Sequence, residues 1–222
     1  MYFFEPLYRQ LESQYSDKIN HFPLIRLILY SLDHALFLFL IWLCIWVVLV
    51  WIRHRNRMPI HWRREHLKNG CIFYMLLLFQ LTVFRNSTTI FTVKIIPHPL
   101  SDIYLIPFED SYKLFFGDSL FSAYYNVLGN IIWFVPLGIF VGALSRKEKN
   151  VWRALVTGFT VSFTIETMQF LFYTGIAHID DLLLNIVGTL LGYAIYAGIK
   201  KIRKKRNKHG NNSSQTTSSR EY

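Results

Sequence analysis

Seven side chains in three short stretches carry the chemistry that can be read from this sequence. Asn126 and Asn130 lie in NVLGNIIWFVPLG, Glu166 and Gln169 in SFTIETMQF, and Asp180, Asp181 and Asn185 in HIDDLLLNIVGTLLG. Each stretch is otherwise mostly apolar. A carboxyl or amide in such a run is costly unless it is paired, turned toward other helices or used in function. Carboxyls and amides together suit hydrogen-bonded recognition of a polar ligand. They also suit proton transfer, with Glu166 as the candidate acid or base and Asp181 as the candidate group that orients a substrate. Structural roles compete for the same residues. Glu166 can tie helices together as a hydrogen-bonded carboxyl, acids in the first turn of a helix act as caps, and amides bond across helices. No P-loop, HExxH or nucleophile elbow accompanies them, and neither a metal site nor a cofactor is expected.

Helical periodicity decides which of these residues share a face. At 100° per residue, Gly158, Ser162, Glu166, Gln169 and Tyr173 fall within an arc of about 80°. Asn126 and Asn130 are one turn apart and share a face with Trp133 and Leu137. Asp181, Asn185, Gly188 and Gly192 form a polar end running into a seam of small residues, where another helix can approach closely. His178 reads as a solvated turn residue and Pro136 as a helix kink.

The elements that position these residues are membrane helices. The chain has 222 residues, 52% hydrophobic, 17% aromatic and 17% charged. Soluble domains average about a quarter charged, so an ordinary soluble fold and a disordered chain are both excluded. Runs of about 20 apolar residues, enough to cross the hydrocarbon core, occur at 32–52, 72–92, 124–144, 151–173 and 182–199. The second is interrupted by Arg85 and Asn86. The expected fold is an all-α polytopic bundle of about five transmembrane helices. Residues 6–31 read as an interfacial helix broken by Pro23, and Cys44 and Cys71 as packing residues.

Charge orients the set. The net charge of +10 does not imply nucleic acid, because the basic residues flank apolar runs. Segments 53–68, 145–153 and 199–222 hold 18 of the 24 Lys and Arg. Cytoplasmic loops retain such residues, which puts these segments and the C-terminus inside. The N-terminus, the 93–123 loop and the 174–181 turn then lie outside. The chain divides into residues 1–69 (tail, first span and basic loop), a membrane domain over 70–200, and a basic, mostly disordered tail over 201–222. With that topology all seven polar residues reach the outer end of the bundle. The 93–123 loop would roof the pocket they form.

The motifs resemble those of the VanZ-like membrane proteins. The resemblance rests on Asn126, Asn130, Phe134, Pro136 and Gly138, on Glu166 with Gln169, and on the IDD-x3-N-x2-G-x3-G run from Ile179 to Gly192. Ile106, Pro107 and Phe108 add the short Pro-Phe motif, and the likeness covers roughly residues 70–200. It implies a multi-pass protein of the bacterial cytoplasmic membrane, in a family whose named member confers teicoplanin resistance. Members often carry one more acid where this chain has His178, which argues against a three-carboxylate metal site. Three readings stay open. The outer pocket engages a membrane lipid, a cell-wall precursor or a lipoglycopeptide. Alternatively, Glu166 and Asp181 act on a lipid-linked substrate. A transporter ranks third, because the inner half shows no matching polar path. Oligomeric state is not legible.

Overall fold

A computed structural model describes residues 1–16, 22–85, 93–96, 99, 120–145, 151–175 and 178–218, with side chains for all of these except 120–126 and 208–218. Among the described residues the fold is all helical: α1 (Glu5–Tyr15), α2 (Phe22–Arg55), α3 (Trp62–Thr82), α4 (Leu120–Leu144), α5 (Val151–Phe172) and α6 (Ile179–Ser218). Four stretches are long and apolar enough to span a membrane: Phe22–Arg55, Val127–Leu144, Val151–Phe172 and Ile179–Asn207. Around α2, Leu40, Ile41, Ile45, Val48 and Trp51 are all exposed. A helix apolar on all sides requires lipid or a protein core around it.

The span expected at 72–92 takes a different form. α3 starts earlier, at Trp62 inside the basic segment, and stops at Thr82. Its apolar part is therefore short. The stop has a polar cause. Gln169 Nε2 donates to the Thr82 carbonyl at 3.2 Å, and Arg85 Nε donates to the Thr174 carbonyl at 2.8 Å. Both tie the end of α3 to the end of α5.

The chain before the first span also departs from expectation. In place of a broken interfacial helix, α1 is followed by a single helix from Phe22, with Pro23 in its first turn, where a missing N–H costs nothing. Tyr8 packs against Phe22 and Tyr30. Asp33 is fully buried and accepts backbone N–H groups from Tyr2, Phe3 and Phe4 at 2.5, 2.7 and 2.8 Å. A carboxylate inside an apolar helix is thereby satisfied by the N-terminal segment.

Packing is densest between α4 and α6, because glycines let the backbones meet. A Cβ at Gly188 would strike the carbonyl of Ile131, one at Gly192 that of Val135, and one at Gly138 the carbonyl of Thr189. This is the small-residue seam expected on α6, matched by Gly138 on α4. α5 packs on α6, α2 on α3, and α3 joins the two groups through α4. Leu78, Val83, Phe134, Leu137 and Ile165 make the buried core where α3, α4 and α5 meet. Trp133 and Leu137, one turn apart on α4, differ in burial: Leu137 is in the core and Trp133 is exposed. Pro136 lies inside α4. The Tyr74 hydroxyl donates to the nearby Trp133 carbonyl at 2.7 Å, the kind of help from a neighbouring helix that makes an intramembrane proline tolerable.

The backbone of α6 continues as a helix to Ser218, through the basic run expected to be disordered. Once nucleated, a helix gains one hydrogen bond per added residue, and the Lys and Arg of 200–208 propagate it well. The Gly, Asn, Ser and Thr that follow have low helix propensity and do not account for its last turns. At the end of the bundle where the basic segments gather, Glu65 is buried and contacts Lys68 at 2.6 Å and Arg53 at 3.2 Å. The hydrogen bond from Lys68, with help from Arg53, holds its carboxyl below the usual glutamate range.

Candidate functional site

The polar residues singled out on α4, α5 and α6 come together at the end of the bundle away from Glu65. The turn after α5 explains how. Tyr173 adopts a left-handed backbone (φ 52°). Its N–H bonds to the Phe170 carbonyl and that of Thr174 to the Gln169 carbonyl, the hydrogen-bond pair of a Schellman cap. This ends the helix and turns Tyr173 outward, 61% exposed. Tyr173 is thus not part of the polar stripe. Gly158, Ser162, Glu166 and Gln169, the rest of that stripe, are all buried.

Glu166 faces the start of α6, where its Oε2 accepts the backbone N–H of His178 at 3.2 Å. One turn further on, Asn130 of α4 donates from Nδ2 to Asp181 Oδ1 at 2.5 Å. Asp180 and Asp181 occupy the first turn of α6, where the helix dipole favours negative charge. Asp180 is buried. Deeper in the bundle, Asn185 Nδ2 donates to Ser162 Oγ at 2.9 Å, and Thr189 Oγ1 donates to the Asn185 carbonyl at 2.9 Å. The Asn185 side-chain oxygen is buried and has no hydrogen-bond partner among the described residues. A ladder therefore runs from the start of α6 to the glycine seam.

Two members of the cluster were not among the predicted site residues. Arg85, expected only to interrupt a span, bonds to the Thr174 carbonyl, and its guanidinium lies beside Gly175 and Gln169. It interacts electrostatically with both Glu166 and Asp181. A cation at the end of an apolar run, outside the three basic segments, was the available signal. His178, expected to be solvated, presents its backbone N–H to Glu166. Its imidazole interacts electrostatically with Asp181.

Of the seven predicted residues, six take part in this arrangement: Asn130, Glu166, Gln169, Asp180, Asp181 and Asn185. The Asn126 side chain lies outside the described residues, as do Ile106, Pro107 and Phe108 and most of the 93–123 loop that would roof the pocket. Within the loop, Ile96 N donates to the Leu171 carbonyl at 3.1 Å, which places this part of it at the end of α5. Among the described residues no group of three His, Cys, Asp or Glu side chains is arranged to hold a metal ion.

Four apolar helices of spanning length, two of them packed through a glycine seam and three carrying a carboxylate and amide cluster at one end, define a multi-pass membrane protein. The VanZ/LLP1 family model matches residues 71–201, and the chain belongs to that family. No curated protein and no solved structure matches it.

Proposed function

We propose that the protein contributes to glycopeptide resistance at the outer face of the bacterial cytoplasmic membrane, by engaging a cell-envelope lipid, a cell-wall precursor or a lipoglycopeptide at the Glu166 cluster. The basic segments then lie in the cytoplasm with the C-terminus, and the N-terminus lies outside. Residues 70–200 are the working unit, preceded by an added anchor. The single observation that carries this reading is the convergence of Asn130, Glu166, Gln169, Asp181 and Arg85 from four segments at one end of the bundle. Acceptors on the carboxylates, donors on the amides and one guanidinium suit a ligand that offers amide or hydroxyl donors together with an anionic group. Family membership supports the envelope setting.

The test is expression in a susceptible Gram-positive host, with inhibitory concentrations of teicoplanin and vancomycin measured against an empty vector. A raised teicoplanin value is expected. An unchanged value, with the protein present in the membrane, contradicts the reading.

An enzymatic reading is favoured by one observation, the burial of Glu166 against a backbone N–H and within electrostatic reach of Asp181. In that case Glu166 would transfer the proton and Asp181 would orient a lipid-linked substrate. Turnover of a purified precursor lipid that is lost in Glu166→Gln would establish it.

A further inference from the structure

The end of the bundle opposite Glu166 contains a cavity of about 1370 Å³, opening between the start of α3, the C-terminal end of α4 and the middle of α6. Sites for drug-sized ligands measure about 300–1,000 Å³, so this one accommodates a larger molecule. Its two sides differ in chemistry. The wall is apolar, made by Phe140, Ala143, Leu144, Tyr196 and Ile199. The rim carries Arg63, Arg64, Lys200 and Arg203 with two histidines, and among the described residues no Asp or Glu lines it. Glu65, the acid nearest in sequence, belongs instead to the neighbouring cavity against α2, with Lys68 and Arg53. Arg64 Nη2 donates to the Leu144 carbonyl at 3.5 Å, which fixes the rim of α3 against the end of α4.

We propose that this cavity binds an anionic phospholipid, with the phosphate at Arg63 and Arg203 and an acyl chain along the Phe140 and Tyr196 wall. Charge selects the occupant. The chain segments that adjoin the cavity in sequence, 145–153 and 199–222, are themselves strongly basic, so neither complements the rim. The acids of α1 belong to a helix that packs at the start of α2, toward the other end. The wall continues onto apolar surface of α4 and α6, where Ile139, Ile195 and Ile199 are exposed, and this favours a lipid over a soluble phosphate. Basic pockets between membrane helices on the cytoplasmic side bind phospholipid headgroups in this way.

Native mass spectrometry of the full chain, delipidated in detergent and titrated with phosphatidylglycerol or phosphatidylcholine, tests the assignment. Phosphatidylglycerol should bind preferentially. Arg63→Gln and Arg203→Gln should each weaken it about fivefold, the effect of one cation near an anionic surface. Arg55→Gln and Arg57→Gln, basic but outside the cavity, should leave it unchanged. Ala143→Leu, which fills the wall without touching charge, should also weaken binding, and the soluble headgroup glycerophosphoglycerol should not compete. Equal binding of the two lipids, equal loss in the Arg55 and Arg57 variants, or full competition by the headgroup alone would overturn the proposal. Retention of helical circular dichroism in each variant separates lost binding from lost folding.

Discussion

Asn130 and Asp181, fifty-one positions apart, share a 2.5 Å hydrogen bond that joins α4 to α6 directly above the glycine seam. The bond couples the packing of the bundle to the chemistry of its polar end. Close approach at Gly188 and Gly192 lets the amide reach the acid, and the acid in turn interacts electrostatically with Glu166.

The Asn130–Asp181 bond is therefore expected to contribute to stability in its own right. Asn130→Ala should cost about 0.6 kcal/mol and at most about 1.7, the mean and maximum found for hydrogen bonds between membrane helices, read as a fall in unfolding free energy in detergent or bicelles. A double-mutant cycle with Asp181→Ala should show that much coupling. Coupling near zero would mean that the two side chains do not depend on each other.

The seam gives a second, directional prediction. Gly188→Ala and Gly192→Ala place a methyl against the carbonyls of Ile131 and Val135, and such overpacking costs about 1–3 kcal/mol. Gly129 and Gly198 have open space where a Cβ would stand. Alanine there should be neutral or stabilising by up to about 1 kcal/mol, from helix propensity alone. Thermal denaturation of the four variants should separate them into these two pairs.

Much of this arrangement is legible in the sequence because two periodicities agree. Asp181, Asn185, Gly188 and Gly192 share a face only as a helix, and that face packs against α4, with Asn185 turned to Ser162 of α5. The buried stripe of Gly158, Ser162, Glu166 and Gln169 follows from the same rule. Tyr173 fits the rule but not the structure, because helical spacing does not report where a cap reverses the backbone. Arg85 and His178 escape notice for a related reason. Their parts depend on loops brought together from distant positions, and His178 acts on Glu166 through its backbone, which carries no residue-type signal. Asp33 is hidden in the same way, since its partners are backbone N–H groups some thirty residues earlier.

Arg85 is expected to matter more than its exposed position suggests. Arg85→Gln removes the bond to the Thr174 carbonyl and the positive charge beside Glu166 and Asp181. A charge-assisted hydrogen bond contributes about 1.5–3 kcal/mol when buried. The partial exposure here places the expected loss at or below the low end of that range. Arg85→Lys, which keeps the charge but loses the planar donor set, should restore part of it. A thermal shift identical to wild type for Arg85→Gln would remove Arg85 from the cluster.

At the opposite end, Glu65 gives a pH prediction. Its carboxyl is held below the usual range by Lys68 and then Arg53, so it binds fewer protons folded than unfolded at mildly acid pH. The stability it contributes is complete above the unfolded glutamate value of about 4.3. It is lost as pH falls from there through the lower folded value. Stability measured across that window should decline less steeply in Glu65→Gln than in wild type, and at neutral pH the variant should be the less stable of the two. Parallel pH profiles would show that the ion pair does not contribute.

The most direct test of the functional account is the teicoplanin inhibitory concentration in cells expressing wild type, Glu166→Gln or Asp181→Asn at matched membrane levels, with thermal stability measured on each purified protein. Where wild type raises resistance, both substitutions keep size and polarity but remove a carboxylate. The account predicts that each returns resistance toward the empty-vector level while the helices remain folded. Full resistance in both folded variants would contradict it and leave these carboxyls as struts between helices.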